Sequence, residues 1–184
     1  MPAPPDAPPD APRFRRATDA DVPAIVALVE SAYRGTSSRA GWTTEADLLD
    51  GQRTDADEVR ALLADPRARI LLATDAAGAL LGCVKLEDAD DAAWIGMFAV
   101  SPTLQARGLG RALLTEAERQ AHTELGHALA RMTVIAQRAE ILTWYARRGY
   151  TPTGATEPFP YGNPRAGLPK RDDLYFTVLE KRLG

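Results

Sequence analysis

Phe98-Ala99-Val100-Ser101-Pro102-Thr103-Leu104-Gln105-Ala106-Arg107-Gly108-Leu109-Gly110-Arg111-Ala112-Leu113-Leu114 changes its pattern twice within a few residues. It begins as the end of a β-forming run, Ala92 to Val100, which Ser101-Pro102 halts. From Leu109 to Leu125 the apolar residues Leu109, Ala112, Leu113, Ala117, Ala121 and Leu125 recur at helical spacing. Between strand and helix lies Gln105-x-x-Gly108-x-Gly110, so unpaired amides and the positive end of a helix converge on one point. That is an anion site, most naturally one for a pyrophosphate. Glycine at 108 and 110 removes Cβ atoms that would block phosphate oxygens, and Arg107 and Arg111 add charge. Each helix-end charge interaction is worth about 0.3–2 kcal/mol, so binding there needs several amides and arginines acting together.

Two other nucleotide signatures fail on the same letters. A dinucleotide fingerprint needs a small residue where Leu113 stands, and a phosphate-loop NTPase needs Gly-Lys-Ser/Thr, which is absent. Outward from the stretch, the period alternates between helix and strand. Arg13 to Ala17 is a strand candidate, and the Thr18 to Asp21 oxygens precede an apolar helical stripe from Val22 to Tyr33 ending near Gly35. Thr44-Glu45-Ala46-Asp47 is a capping-box pattern predicting one or two helical turns through Leu49, and Thr54 to Asp57 opens another helix stopped by Asp65-Pro66. Ile70 to Thr74, Ala79 to Glu87 and Ala92 to Val100 are β candidates joined by connections short enough only for antiparallel neighbours. After the helix from Leu109, a parallel crossover returns through Ala128 to Ala136. A helix from Ala139 to Arg148 closed by Gly149 follows, then strands Tyr150 to Ala155 and Leu174 to Leu183. The long Pro/Gly-rich loop Glu157 to Asp172 joins the last two.

With 184 residues, 45% of them apolar, and a net charge of −3, the chain suits one packed domain, read as residues 13–184, and leaves no room for a second catalytic domain. Six of its 14 prolines fall between Pro2 and Pro12, so residues 1–12 read as an extended, disordered tail outside the fold. The acidic balance excludes a general grip on nucleic acid, although the basic residues, 19 Arg to 3 Lys, leave room for one local basic pocket. No apolar run is long enough for a membrane span or a signal core. The single cysteine, Cys83, makes neither an intramolecular disulfide nor a Cys-rich metal site, and the expected compartment is the cytoplasm.

About thirty residues beyond the glycine pair stands Trp144-Tyr145-Ala146-Arg147-Arg148-Gly149-Tyr150. The pair of motifs, in this order, resembles the GNAT superfamily of acyl-CoA-dependent N-acetyltransferases over roughly residues 13–183. The resemblance implies an α/β (α+β) fold whose mixed, mostly antiparallel central sheet has about seven strands. It would be splayed between strands 4 and 5, that is between the strand ending at Val100 and Ala128 to Ala136, and flanked by about four helices. It further implies acetyl-CoA as acyl donor, without a metal. The pantetheine arm would lie on the backbone of Phe98, Ala99 and Val100, and the pyrophosphate on Gln105, Ala106, Arg107, Gly108, Leu109, Gly110 and Arg111. Many relatives carry an Asn where this chain has Arg138, which is expected to meet the same end of the cofactor or an acidic group instead.

The reaction so implied is direct attack of a neutral amine on the thioester, in a ternary complex. Tyr145, with an ordinary pKa near 10, matches the family's general acid for the leaving thiolate of pKa near 8.5. No carboxylate lies on Ala92 to Val100, so the base is left open, with Glu87 and Glu45 as candidates acting through water. Acceptor contacts are expected from Arg34 to Gly51 and Glu157 to Asp172. Trp42 and Tyr161 with Glu45 or Asp47 would suit a cationic amine, whereas Arg34 and Arg39 would suit an amino acid carboxylate. The expected partner is a small-molecule amine, with no nucleic acid or membrane and with a homodimer allowed. A catalytically silent acyl-CoA sensor and a protein lysine or N-terminal acetyltransferase are the alternatives.

Overall fold

Alternating burial along the strands divides the apolar residues between two faces of one sheet. In the computed structural model the described residues are 11–105 and 107–184; most of the proline-rich segment and the position of Ala106 lie outside them. The strands are β1 (Arg13–Arg16), β2 (Leu49–Asp50), β3 (Ala68–Thr74), β4 (Leu80–Asp88), β5 (Ala93–Val100), β6 (Leu129–Ile135), β7 (Thr151–Pro158), β8 (Leu168–Pro169) and β9 (Tyr175–Arg182). The helices are α1 (Val22–Tyr33), the single turn α2 (Gly35–Ser38), α3 (Ala56–Ala64), α4 (Leu109–Thr123) and α5 (Ala139–Ala146). Seven strands form one sheet in the order β1-β3-β4-β5-β6-β9-β7, antiparallel throughout except for β5 and β6. This is the mixed α/β architecture expected, with four main helices. Among the described residues, no helix is long and apolar enough to cross a membrane.

Local chemistry sets the helix boundaries. The Asp21 carboxylate accepts from the Thr18 amide at 2.8 Å and from its hydroxyl at 3.0 Å, which organises the entry to α1. The Asp55 carboxylate accepts from the Glu58 amide at 2.8 Å and so caps α3. On one face of the sheet α1 and α3 bury Ile25, Val29 and Val59 against Ile70, Leu72, Cys83, Met97 and Ala99. On the other face α4 buries Leu113, Leu114, Ala117 and Ala121 against Leu71, Ala73, Val84, Leu86, Ala93 and Ile95.

One extra residue in β5 positions the site. Cys83 pairs with Ala99 and Lys85 with Gly96, so two steps along β4 oppose three along β5. At this bulge Met97 takes φ 46°, the one positive φ outside glycine among the described residues. A one-residue shift reverses the facing of every side chain beyond it. Accordingly Ala93 and Ile95 pack toward α4, while Met97 and Ala99 pack toward α1, and Phe98 is delivered to the α4 side.

The loops depart from the sequence reading in two places. Thr44 to Leu49 does not form the expected helical turns. Only residues 46–48 turn, after which Leu49–Asp50 pairs antiparallel with Leu168–Pro169. The reason is that Asp47, the residue that would close the box on Thr44, pairs instead with Arg39 at 2.8 Å, while Leu49 and Asp50 are taken up by the pairing with β8. Strand β7 also runs on to Pro158, three residues past the expected end, because Glu157 and Pro158 continue the pairing with β9.

Candidate active site

Strands β5 and β6 pair only at Ala93 with Ala130 and Trp94 with Arg131. Beyond this point they part, so the Gly96 to Val100 edge of β5 lacks a strand neighbour and its backbone can bind a ligand. The gap widens into a cleft of about 600 Å³, a volume typical of small-molecule sites. Its floor is formed by Phe98, Val100 and Met132, and its two ends differ in chemistry.

At one end lies the start of α4. Gly108 is the N-cap residue with φ 82°, a left-handed conformation that glycine adopts without strain, and Gly108, Gly110 and Arg111 line the cleft. A Cβ at Gly110 would meet the Trp144 ring at 3.5 Å, so a side chain there would fill the cradle. Arg148 lies over Trp144, its guanidinium carbon 3.5 Å from the ring centroid. Burial, then the neighbouring Arg111, lowers the Arg148 pKa, and its Nε is buried with no hydrogen-bond partner. Two cations held together beside free helix amides fit the phosphates of a nucleotide cofactor. Arg107 is exposed and does not line the cleft, while the Leu109 side chain belongs to the core. Ala99 likewise turns its side chain into the α1 face.

Gln105 acts as a fastener. Its side chain donates to Thr43 Oγ1 at 2.7 Å and to the Val100 carbonyl at 3.1 Å, and accepts from the Trp42 amide at 2.9 Å. It therefore ties the loop after α2 to the start of the glycine loop, which places Trp42 5.8 Å from Trp144 between ring centroids.

Tyr145 sits mid-cleft, 7% exposed, with its ring edge-on to Trp144 at 5.0 Å and to Tyr150 at 5.6 Å. Its hydroxyl makes no hydrogen bond to the described residues. Burial, reinforced by nearby Tyr33, pushes its pKa above the ordinary 10, against Arg138 and Arg148. Tyr33 is buried as well, and burial holds it at about 12; its hydroxyl donates to the Phe98 carbonyl at the bulge.

At the other end, Arg34, Glu45, Arg53 and Arg138 line the cleft under a roof of Leu49, Ile135 and Phe159, with Phe176 packed against them. Arg34 and Glu45, 5% and 6% exposed, form an ion pair. Arg138 donates to the second Glu45 oxygen at 3.1 Å and to the Thr43 carbonyl at 2.5 Å. Burial would raise the Glu45 pKa, but Arg138, Arg53 and Arg34 outweigh it and hold the carboxyl below its ordinary value. Arg138 is thus bound to an acidic group of the chain itself, Glu45. Glu87 pairs with Lys85 at 2.8 Å and does not line the cleft.

Two expected acceptor residues lie elsewhere. Arg39 is on the surface, 2.8 Å from Asp47, and Tyr161 is exposed, its hydroxyl accepting from the Leu174 amide and donating to the Arg171 carbonyl. The aromatic wall is instead Phe159, edge-on to Tyr161 at 5.1 Å. Arg53, Arg148, Tyr33 and Phe176 were not singled out from the sequence. Only Arg148 had a usable signal, since it follows the Trp-Tyr motif by one helical turn. Among the described residues, no group of three or more His, Cys, Asp or Glu could hold a metal ion.

Parted parallel strands, a glycine-opened helix start and a tyrosine from the following helix thus meet in one cleft. Residues 66–152 match the family model for the acetyltransferase (GNAT) domain, and the chain shares the fold of solved N-acetyltransferases. It is similar to the ribosomal-protein-S18-alanine N-acetyltransferase from Escherichia coli, with 16% identity and a TM-score of 0.69 over 94% of each chain. A nourseothricin acetyltransferase shares 19% identity and a TM-score of 0.65, covering 95% of this chain and 99% of that one. The spermidine/spermine N-acetyltransferase from Vibrio cholerae shares 16% identity and a TM-score of 0.66, covering 94% of this chain and 92% of that one. No curated protein sequence matches the chain.

Proposed function

We propose that the protein transfers the acetyl group of acetyl-CoA to the amine of a small-molecule acceptor, with Tyr145 as general acid. The observation that carries this reading is the single cleft holding the bare β5 edge, the Gly108 to Arg111 helix start and the Tyr145 side chain together. In the reaction the amine nitrogen bonds to the thioester carbon and the C–S bond breaks. The amine's proton goes to solvent, and the departing thiolate takes the Tyr145 proton, which solvent replaces. The raised Tyr145 pKa keeps that proton in place at neutral pH. Backbone amides on the open edge near Phe98 are the donors for the developing oxyanion.

A separate carboxylate base is not required by this geometry. Glu45, held ionised and occupied by two arginines, is a poor base. Five arginines and one carboxylate line the cleft, and that excess of positive charge favours the neutral form of an incoming amine. A small acceptor fits better than a protein segment, because the β2·β8 pairing joins the two acceptor loops, and Lys170 Nζ secures the clasp at 2.6 Å from the Ala46 carbonyl.

The test is thiol release from acetyl-CoA over a panel of amines, with mass analysis of the products. Acetylated amine formed in step with free CoA is expected. Acetyl-CoA binding without turnover on any amine would leave a sensor, and turnover only on peptides would point to a protein substrate.

A further inference from the structure

The acceptor end of the cleft contains more cationic charge than its own carboxylate balances. Arg34 and Arg138 share Glu45 between them. Arg53 also lines the cleft, and its guanidinium has no hydrogen bond or ion pair with the described residues. Its position is nonetheless built. The Arg53 and Thr54 amides donate to Glu30 Oε1 at 2.6 and 2.8 Å, which fixes the chain just before α3. The guanidinium carbon lies 5.5 Å from the centre of the Tyr33 ring, and that of Arg138 lies 5.6 Å from the same centre. The two cations are thus held about one ring rather than by each other, and like charges so placed favour an anion between or beside them.

That ring also gives the distance to the chemistry. The Tyr33 hydroxyl is bonded to the Phe98 carbonyl at the bulge, where the thioester would lie. An anion on Arg53 and Arg138 would therefore sit one tyrosine ring from the reacting carbon. A polycation, of the kind named for the Vibrio cholerae structure, would need carboxylates here, and the cleft's single carboxylate is already paired.

We infer that the acceptor is an amino-carboxylate, an amine of the amino-acid class whose carboxylate is read by Arg53 with help from Arg138, while its side chain packs under Phe159 and Phe176. This rests on the proposed acetyl transfer and adds the acceptor's charge to it. Arg53 is then a specificity-determining residue.

The experiment compares α-, β- and γ-amino acids with their carboxamides as acceptors. The amide has nearly the same shape and a more readily neutral amine, so a preference for the acid reports recognition of the carboxylate. For the accepted acceptor, kcat/KM should favour the acid by about ten- to a hundredfold, the worth of a charge-assisted contact. Arg53→Gln should erase that preference through KM with kcat nearly kept, and Arg53→Lys should restore part of it. Amides equal to or better than acids in the unaltered protein, or a preference that survives Arg53→Gln, would overturn the inference. Should no acceptor turn over although acetyl-CoA binds, the transfer reading fails and calorimetry on the CoA-loaded protein decides the anion site. Binding of amino acids over their amides would uphold it, and equal or absent binding would overturn it.

Discussion

Replacing Tyr145 by phenylalanine isolates one oxygen atom. The ring keeps its edge-on contacts with Trp144 at 5.0 Å, Tyr150 at 5.6 Å and Phe98 at 6.4 Å. The hydroxyl it loses has no partner among the described residues, so folding stability should change by no more than about 0.5 kcal/mol. The reaction should respond far more, because an unprotonated thiolate must then leave without an acid. General-acid loss corresponds to a tenfold to thousandfold fall in kcat, about 1.4–4 kcal/mol of barrier. The assay is steady-state thiol release at pH 7, with calorimetric binding of acetyl-CoA and urea unfolding as controls. Binding and unfolding midpoint should match the unaltered protein. The pH profile adds a second check. An acid works in its protonated form, and the Tyr145 pKa is raised above 10 by burial, so no falling limb assignable to it should occur below about pH 10. Unchanged kcat in Tyr145→Phe, or a fall lost with that hydroxyl between pH 8 and 9, would refute the assignment.

Glu45→Ala should strip Arg34 and Arg138 of a shared buried partner and cost about 3–5 kcal/mol, read as a fall of about 1–2 M in the urea midpoint. Because the folded Glu45 pKa lies below the ordinary 4.5, that difference should be full above pH 4.5 and shrink as pH falls through the lowered value. Arg148→Ala should weaken acetyl-CoA binding by on the order of tenfold and flatten its salt dependence, measured by calorimetry at several ionic strengths. Gly108→Val should lower the melting temperature by several degrees and weaken acetyl-CoA binding, because a branched residue is strained at φ 82°; no protein atom lies within 4 Å of its Cβ position, so a steric clash within the protein is not the cause.

The order of elements was readable because periodicity and turn chemistry act locally. The helix at Leu109, the three antiparallel strands before it and the capping pattern at Thr54 to Asp57, which in the structure is shifted by one residue to Asp55 and Glu58, each follow from a few neighbouring residues. The splay was accessible only through the resemblance carried by the two motifs. The bulge at Met97 was not legible, since nothing in Trp94-Ile95-Gly96-Met97-Phe98 marks the extra residue, and yet it decides which way Phe98 points. The acceptor end was the least legible part. Trp42 and Glu45 stand in the segment that the resemblance implies for the acceptor, but Arg39 and Asp47 pair with each other at the surface, and Arg53 enters from a loop that only the tertiary fold brings to the cleft. Arg138 was read as a cofactor contact because of its place before α5. Its partner Glu45 lies far upstream, and such long-range pairings leave no local trace.

The proposed acetyl-CoA site between β5 and β6 is tested most directly by amide hydrogen exchange with and without acetyl-CoA. Saturating acetyl-CoA should slow exchange at Phe98 to Val100 and at Arg107 to Arg111, while the β7 edge strand stays unchanged. Protection elsewhere with none at these two segments would contradict the account.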